Sequence, residues 1–187
     1  MAINNARLYE AAQRRQLGLK VSAEIVGELL TGGIDPLPLI AARGRRMAEA
    51  DLATILVPLA DEPDSLLIAA ADGVGEAALR GRLVPRDRSL AGRALAEDRD
   101  LSIDDTAATG RTLRVAGVAF GPALAVRVRG AGDGQPGVLS LSRVAGARRF
   151  DPDERDIVAD FAGHAGPGPG TGPRPAGTPS AAAVRGP

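Results

Sequence analysis

The chain contains no cysteine. Disulfides, thiolate nucleophiles, iron–sulfur clusters and Cys-based zinc sites are therefore excluded, as is any chromophore held by a thioether. There is one histidine, His164. A multi-histidine metal site is impossible, and a triad that needs imidazole has that single candidate. Aromatic residues make up 2% of the chain, with no Trp and one Tyr. Stacking platforms for single-stranded nucleic acid are missing, and the core has to be built from Ala, Val, Leu and Ile. The 23 basic and 23 acidic residues cancel, so no net field steers the protein toward a polyanion. We expect no nucleic-acid partner. No apolar run reaches the roughly 20 residues that span a bilayer, and MAINNARLYEAAQRRQ at the N-terminus is polar. The expectation is a cytoplasmic protein without membrane insertion.

What is present suits one domain with a real core: 187 residues, 44% of them hydrophobic. Residues 2–31 read as one long helix. Ile3, Leu8, Ala12, Leu19, Ala23, Val26 and Leu30 recur at helical spacing. That stripe fits either a dimer seam in an interdomain helix or an ordinary amphipathic helix lying on its own sheet. Thr31-Gly32-Gly33 stops it, and Asp35 followed by Pro36 starts a second helix over 36–50. Leu37, Ile40, Ala41, Gly44, Met47 and Ala48 face inward there, with Arg43, Arg45 and Arg46 on the solvated face. The period then shortens. Strands are expected at 52–59 and 65–71 as a hairpin around the polar turn 61–64. A helical turn at Glu76–Leu79, a helix at 89–97 and a short strand at 101–105 follow. The segment 106–120 reads as a short helix and a loop. Strands at 122–130 and 138–144 flank a turn at 131–137. The final helix, 150–165, opens with Asp151, Pro152 and Glu154, a strong start signal. From Gly166 onward more than half the residues are Gly or Pro, the composition of a disordered tail. Hairpins dominate and no strand–helix–strand repeat occurs. The fold class is α+β, an antiparallel sheet with helices on one side.

The segments AINNARLYE (2–10), EADLATILVP (49–58), LVPRDRSLAGRAL (83–95), LSIDDTAA (101–108), GPALAVRVR (121–129), GVLSLSR (137–143) and FDPDERDIVADFAGHA (150–165) carry a resemblance when taken in this order. Together they resemble a GAF domain, in particular the second GAF domain of actinobacterial two-GAF sensor histidine kinases of the DevS and DosT type. The resemblance implies a central antiparallel sheet, with N- and C-terminal helices together on one face and a ligand pocket on the other. It also implies three parts: a signalling helix at 1–31, the GAF domain at 32–165 and a tail at 166–187. The function it implies is a non-catalytic sensory or signal-relay module of a two-component kinase, expected here as a fragment without the kinase core. The alternative is a receptor domain with an unidentified small molecule in its pocket.

No catalytic residue, metal site or cofactor is expected. His164 lies in the last helix, which does not match the place of a haem ligand in such kinases. The Asn-Lys-Phe-Asp-Glu pattern of cyclic-nucleotide GAF domains is missing, since Lys20 is the only lysine. Free-methionine-sulfoxide reductase GAF domains need cysteine. In the resemblance frame Ser89 caps the helix that borders the pocket, and Ser89, Leu90, Arg93, Asp104 and Asp105 are the candidate pocket residues. Asp104-Asp105 reads as a turn-and-cap pair, as a polar contact to a ligand, or as the start of a metal or catalytic site, for which no further acids or histidines converge nearby. Arg127 and Arg129 alternate with Val126 and Val128 and are expected to face solvent. Leu8, Leu19 and Val26 are the candidate contacts of a helix-mediated homodimer. The stripe predicts that Leu19→Asp or Val26→Asp weakens a dimer. Native mass spectrometry checks this: a monomer both before and after the substitution would remove the helix-paired dimer.

Overall fold

The computed structural model describes residues 35–107, 113–132 and 135–165. The proposed signalling helix, with Leu8, Leu19 and Val26, and the Gly/Pro tail lie outside the described residues. The elements in chain order are α1 (Pro36–Met47), β1 (Leu52–Pro58), β2 (Ser65–Gly73), α2 (Glu76–Leu79), β3 (Leu83–Pro85), α3 (Leu90–Ala96), β4 (Leu101–Ile103), β5 (Arg114–Val115), β6 (Val118–Gly132), β7 (Gln135–Val144) and α4 (Pro152–Ala165). The sheet runs β3-β2-β1-β7-β6-β4, with β5 paired to β6, and every pairing is antiparallel.

Two strands at the centre give the sheet two different faces. In β1, Ala53, Ile55 and Val57 join one buried cluster, while Leu52 and Leu56 join another. In β7, Leu139 and Leu141 belong to the first and Val138 to the second. This is the two-residue repeat of a strand buried on both sides. The first cluster is covered by α1 and α4, through Leu37, Ile40, Ala41, Val158, Phe161 and Ala162. Gly44 lets α1 approach β7, because a Cβ there would come within 2.8 Å of Leu139 Cδ2. The second cluster is covered by α2 and α3, with Phe120 at 0% exposure beneath them.

Local signals explain the helix starts. The Asp35 carboxylate accepts from Leu37 N at 3.0 Å ahead of Pro36. At α4, Glu154 N donates to Asp151 Oδ1 at 2.8 Å and Asp151 N donates to Glu154 Oε2 at 3.0 Å, a reciprocal capping box. Three expectations change. Arg114–Val115 and 118–120 are strand, not helix and loop. Ala116 and Gly117, at φ 49° and 82°, form a two-residue turn that pairs Val115 with Val118. Positive φ at both central positions is the primed hairpin turn, normally written with Asn-Gly. The β6–β7 turn is shorter than 131–137, since Gly132 pairs with Gln135. Arg45 is half-buried and paired with Asp72 rather than simply solvated.

Arg143 fastens the helical layer to the sheet. Its side chain is 3% exposed and stacks over Phe150, 4.2 Å from the ring centroid. It donates to the carbonyls of Ala48 at 2.6 Å and of Arg148 and Arg149 at 3.1 Å, and to Glu154 at 2.8 Å. The end of α1, the 148–149 turn and the start of α4 thus converge on one guanidinium, whose fork geometry suits several acceptors at once. Burial pushes the Glu154 carboxyl up. Hydrogen bonds from Arg148, Arg143 and the Asp151 amide, with the Arg143 charge, outweigh that and hold it at about 2. The folded pKa is depressed below the ordinary 4.5, so this stabilisation is present above pH 4.5 and is lost as pH falls toward 2. A shift of this size corresponds to roughly 3 kcal/mol. Glu154→Gln is expected to destabilise the domain by about 2–3 kcal/mol at pH 7, because a buried arginine loses its counter-charge. In urea titrations the deficit should fall to a small fraction of its pH 7 value by pH 2; an equal deficit at pH 7 and pH 2 would contradict the assignment.

Candidate functional site

The face of the sheet away from α1 and α4 holds a cavity of about 560 Å³. Its floor is Leu52, Thr54 and Leu56 of β1, Ser140 and Ser142 of β7, and Ala123 of β6. Its roof is α3 with its cap: Ser89, Leu90, Ala91 and Arg93. Ile68, Leu79, Val84, Ile103, Thr106 and Leu113 close the sides, and the exposed Asp87 and Arg88 stand at the rim.

The roof is placed by local chemistry. The Ser89 hydroxyl accepts from Gly92 N at 3.0 Å, the cap that starts α3. Gly92 is required by a close approach: a Cβ there would stand 1.8 Å from the Arg86 carbonyl oxygen. The helix can therefore fold back tightly on the strand-to-helix connection. At its far end, Glu97 accepts from Arg99 at 2.8 Å and from Arg93 at 3.3 Å. The Arg99 hydrogen bond in the first place, against an opposing effect of burial, holds the Glu97 carboxyl below the usual range.

The floor is mostly apolar but carries hydroxyls. Thr54 and Ser140 are directly opposed across β1 and β7, and Ser142 is opposed to Leu52. Thr54 is 8% exposed and Ser142 3%. Among the described residues none of these hydroxyls, that of Ser140 included, is bonded to another group of the protein, and each stays open to the cavity rather than sealed. Thr106 also lines the cavity, and its hydroxyl donates to the Phe120 carbonyl.

Of the candidate pocket residues, the structure brings Ser89, Leu90 and Arg93 to the cavity wall. Ser89 is occupied as a helix cap, and Arg93 leans outward to Glu97 at the rim. Asp104 and Asp105 do not line the cavity. The strand β4 ends at Ile103, so the two acids fall on its outer turn. Asp104 faces Arg149 at 3.5 Å on the surface, and Asp105 accepts from Ala107 N at 2.8 Å, a local turn contact. Among the described residues no three His, Cys, Asp or Glu side chains gather as metal ligands would. Arg127 is half-buried, not solvated. It pairs with Asp98 and with Asp100 at 3.5 Å, while Arg129 is exposed. His164 is exposed on the last turn of α4, with Nδ1 2.6 Å from the Asp160 carbonyl.

Thr54, Ser140 and Ser142 were not among the residues the sequence pointed to. Their signal is visible in LATILVP and VLSLSRV, as hydroxyls alternating with aliphatics. Alone it reads as a solvent face, and only the α3 roof turns it into a cavity floor.

No protein-family model matches the chain. Solved structures do. The second GAF domain of DevS from Mycobacterium smegmatis is 27% identical, with a TM-score of 0.57 over 70% of this chain and 87% of that one. The GAF domain of a phosphoenolpyruvate-protein phosphotransferase from Coxiella burnetii is 15% identical, with a TM-score of 0.62 over 79% and 89%. A free methionine-R-sulfoxide reductase from Neisseria meningitidis is 18% identical, with a TM-score of 0.62 over 83% and 87%. The latter two are likenesses of fold. The described residues have the GAF fold, with the helix pair on one face and the cavity on the other.

The Gly92–Arg86 contact generates a prediction. Gly92→Ala is expected to displace α3 and destabilise the domain by about 1–3 kcal/mol, measured by urea unfolding. A variant as stable as the parent would mean that the roof is not held by this contact.

Proposed function

We propose that this GAF domain is a non-catalytic sensory module of a two-component sensor histidine kinase, whose cavity receives a small molecule and whose helical face passes on the effect. The observation that carries the reading is the position of the cavity. It is built on the opposite face of the same two strands, β1 and β7, that support α1 and α4. The kinase setting is supported by the likeness to the second GAF domain of DevS. The non-catalytic reading is supported by the residues that reach the cavity: the chain has no cysteine, and its one histidine stands on the exposed end of α4. Among the described residues no helix is long and apolar enough to cross a membrane.

A physical route joins the two faces. Ser142 faces the cavity, and the next residue, Arg143, holds the end of α1 and the start of α4 from the other side. Asp51 N donates to the Ser142 carbonyl at 3.0 Å, and the Asp51 carboxylate accepts from Val144 N at 2.8 Å, so this stretch of β7 is fixed at both ends. Pressure on Ser142 is therefore transmitted to Arg143 rather than absorbed locally. Signal would leave as a small shift of packed helices, relayed in a homodimer through the N-terminal helix with Leu8, Leu19 and Val26.

Filling the cavity floor tests the route. Ser142→Leu is expected to change amide hydrogen exchange about fivefold in the last turn of α1 and the first turn of α4, across the sheet. Changes confined to the cavity side would remove the relay.

A further inference from the structure

We infer that the cavity selects an uncharged molecule that carries its hydrogen-bonding group at the buried end: a neutral ring bearing an amide, carbonyl or hydroxyl. This rests on the receptor reading above and names the class of ligand. Thr54 and Ser142 are 8% and 3% exposed and line the cavity floor. Among the described residues neither hydroxyl is a sealed, unsatisfied atom. Each is open to the cavity, so a molecule seated there can take the place of water as its hydrogen-bond partner. Register places Ser140 directly opposite Thr54 and brings Ser142 to the neighbouring pair, so the hydroxyls form one patch rather than scattered defects.

The chemistry of the patch sets the class. A hydroxyl both donates and accepts and carries no charge. It can meet an amide, a carbonyl or another hydroxyl, but it cannot neutralise a carboxylate, phosphate or ammonium group. Among the described residues no charged side chain reaches the floor, and the charged residues of the wall are Asp87, Arg88 and Arg93, all exposed. An ion at the floor would lose its hydration without a counter-charge, whereas at the rim it would keep water. Leu56, Ile68 and Leu90 offer apolar surface to the body of the molecule.

Three probes of nearly equal size separate the possibilities: benzamide, toluene and benzoate, titrated into the full chain and followed by amide chemical shifts. Benzamide is expected to bind about 2–10-fold more tightly than toluene, and benzoate at least about tenfold more weakly than benzamide. In Thr54→Val/Ser142→Ala the advantage of benzamide over toluene should vanish, while toluene binds as well as before or better. Ser142→Ala alone, a smaller change, should remove part of the advantage if the double variant folds poorly. Equal binding of benzamide and toluene to the parent chain would overturn the polar selection and leave an apolar receptor. So would an advantage that survives both substitutions, or benzoate binding most tightly. Failure of all three to bind would overturn the receptor reading together with this one.

Discussion

The two-residue repeat of β1 and β7 is the constraint on which the rest of the structure depends. These strands are central, so both faces are covered and every residue must suit one environment or the other. Ala53, Ile55, Leu139 and Leu141 meet helices, whereas Leu52, Leu56, Ser140 and Ser142 meet the cavity. A slip of one residue would send the serines beneath α1 and α4 and the leucines into the cavity. Register, core and site are therefore a single specification.

Arg143 is the point where the two faces meet energetically. It occupies a strand position that faces the helices, yet it is the polar exception in that layer. Its burial is tolerable because carbonyls from two segments and the Glu154 carboxylate surround it, with Phe150 beneath. Helices packed only by alanine and leucine could slide with little change in energy. A guanidinium with directional bonds gives the layer a defined seat, and a defined seat is what a relay needs.

The cavity is a departure from the best possible fold. A longer side chain in place of Ala123 would fill space that stays open. Local choices that disagree with stability tend to coincide with function. Here they coincide in one place, under a roof set by a serine cap and a glycine whose Cβ would collide with the Arg86 carbonyl.

Much of this was legible in the chain before any coordinates. The Asp35-Pro36 and Asp151–Glu154 starts, the hairpin at 52–71 and the short helix at 76–79 are local signals, and local bonds produce them. The Ser89 cap and the Leu90 and Arg93 wall were legible for the same reason. Of the readings open for Asp104 and Asp105, the turn-and-cap one agrees with the Asp105 contact to Ala107 N, and the strand end decides that neither acid lines the cavity. Ala116-Gly117 was missed because its backbone, not its residue types, makes the turn. By itself the sequence determined most of the helices and strands between residues 35 and 165 and, through its lack of cysteine, which thiol chemistries are impossible, because composition and periodicity depend only on near neighbours. Tertiary structure alone decided that Thr54, Ser140 and Ser142 line a roofed cavity rather than a wet surface, and that Arg143 is buried. Both depend on what a distant segment lays over them, and no local pattern records that.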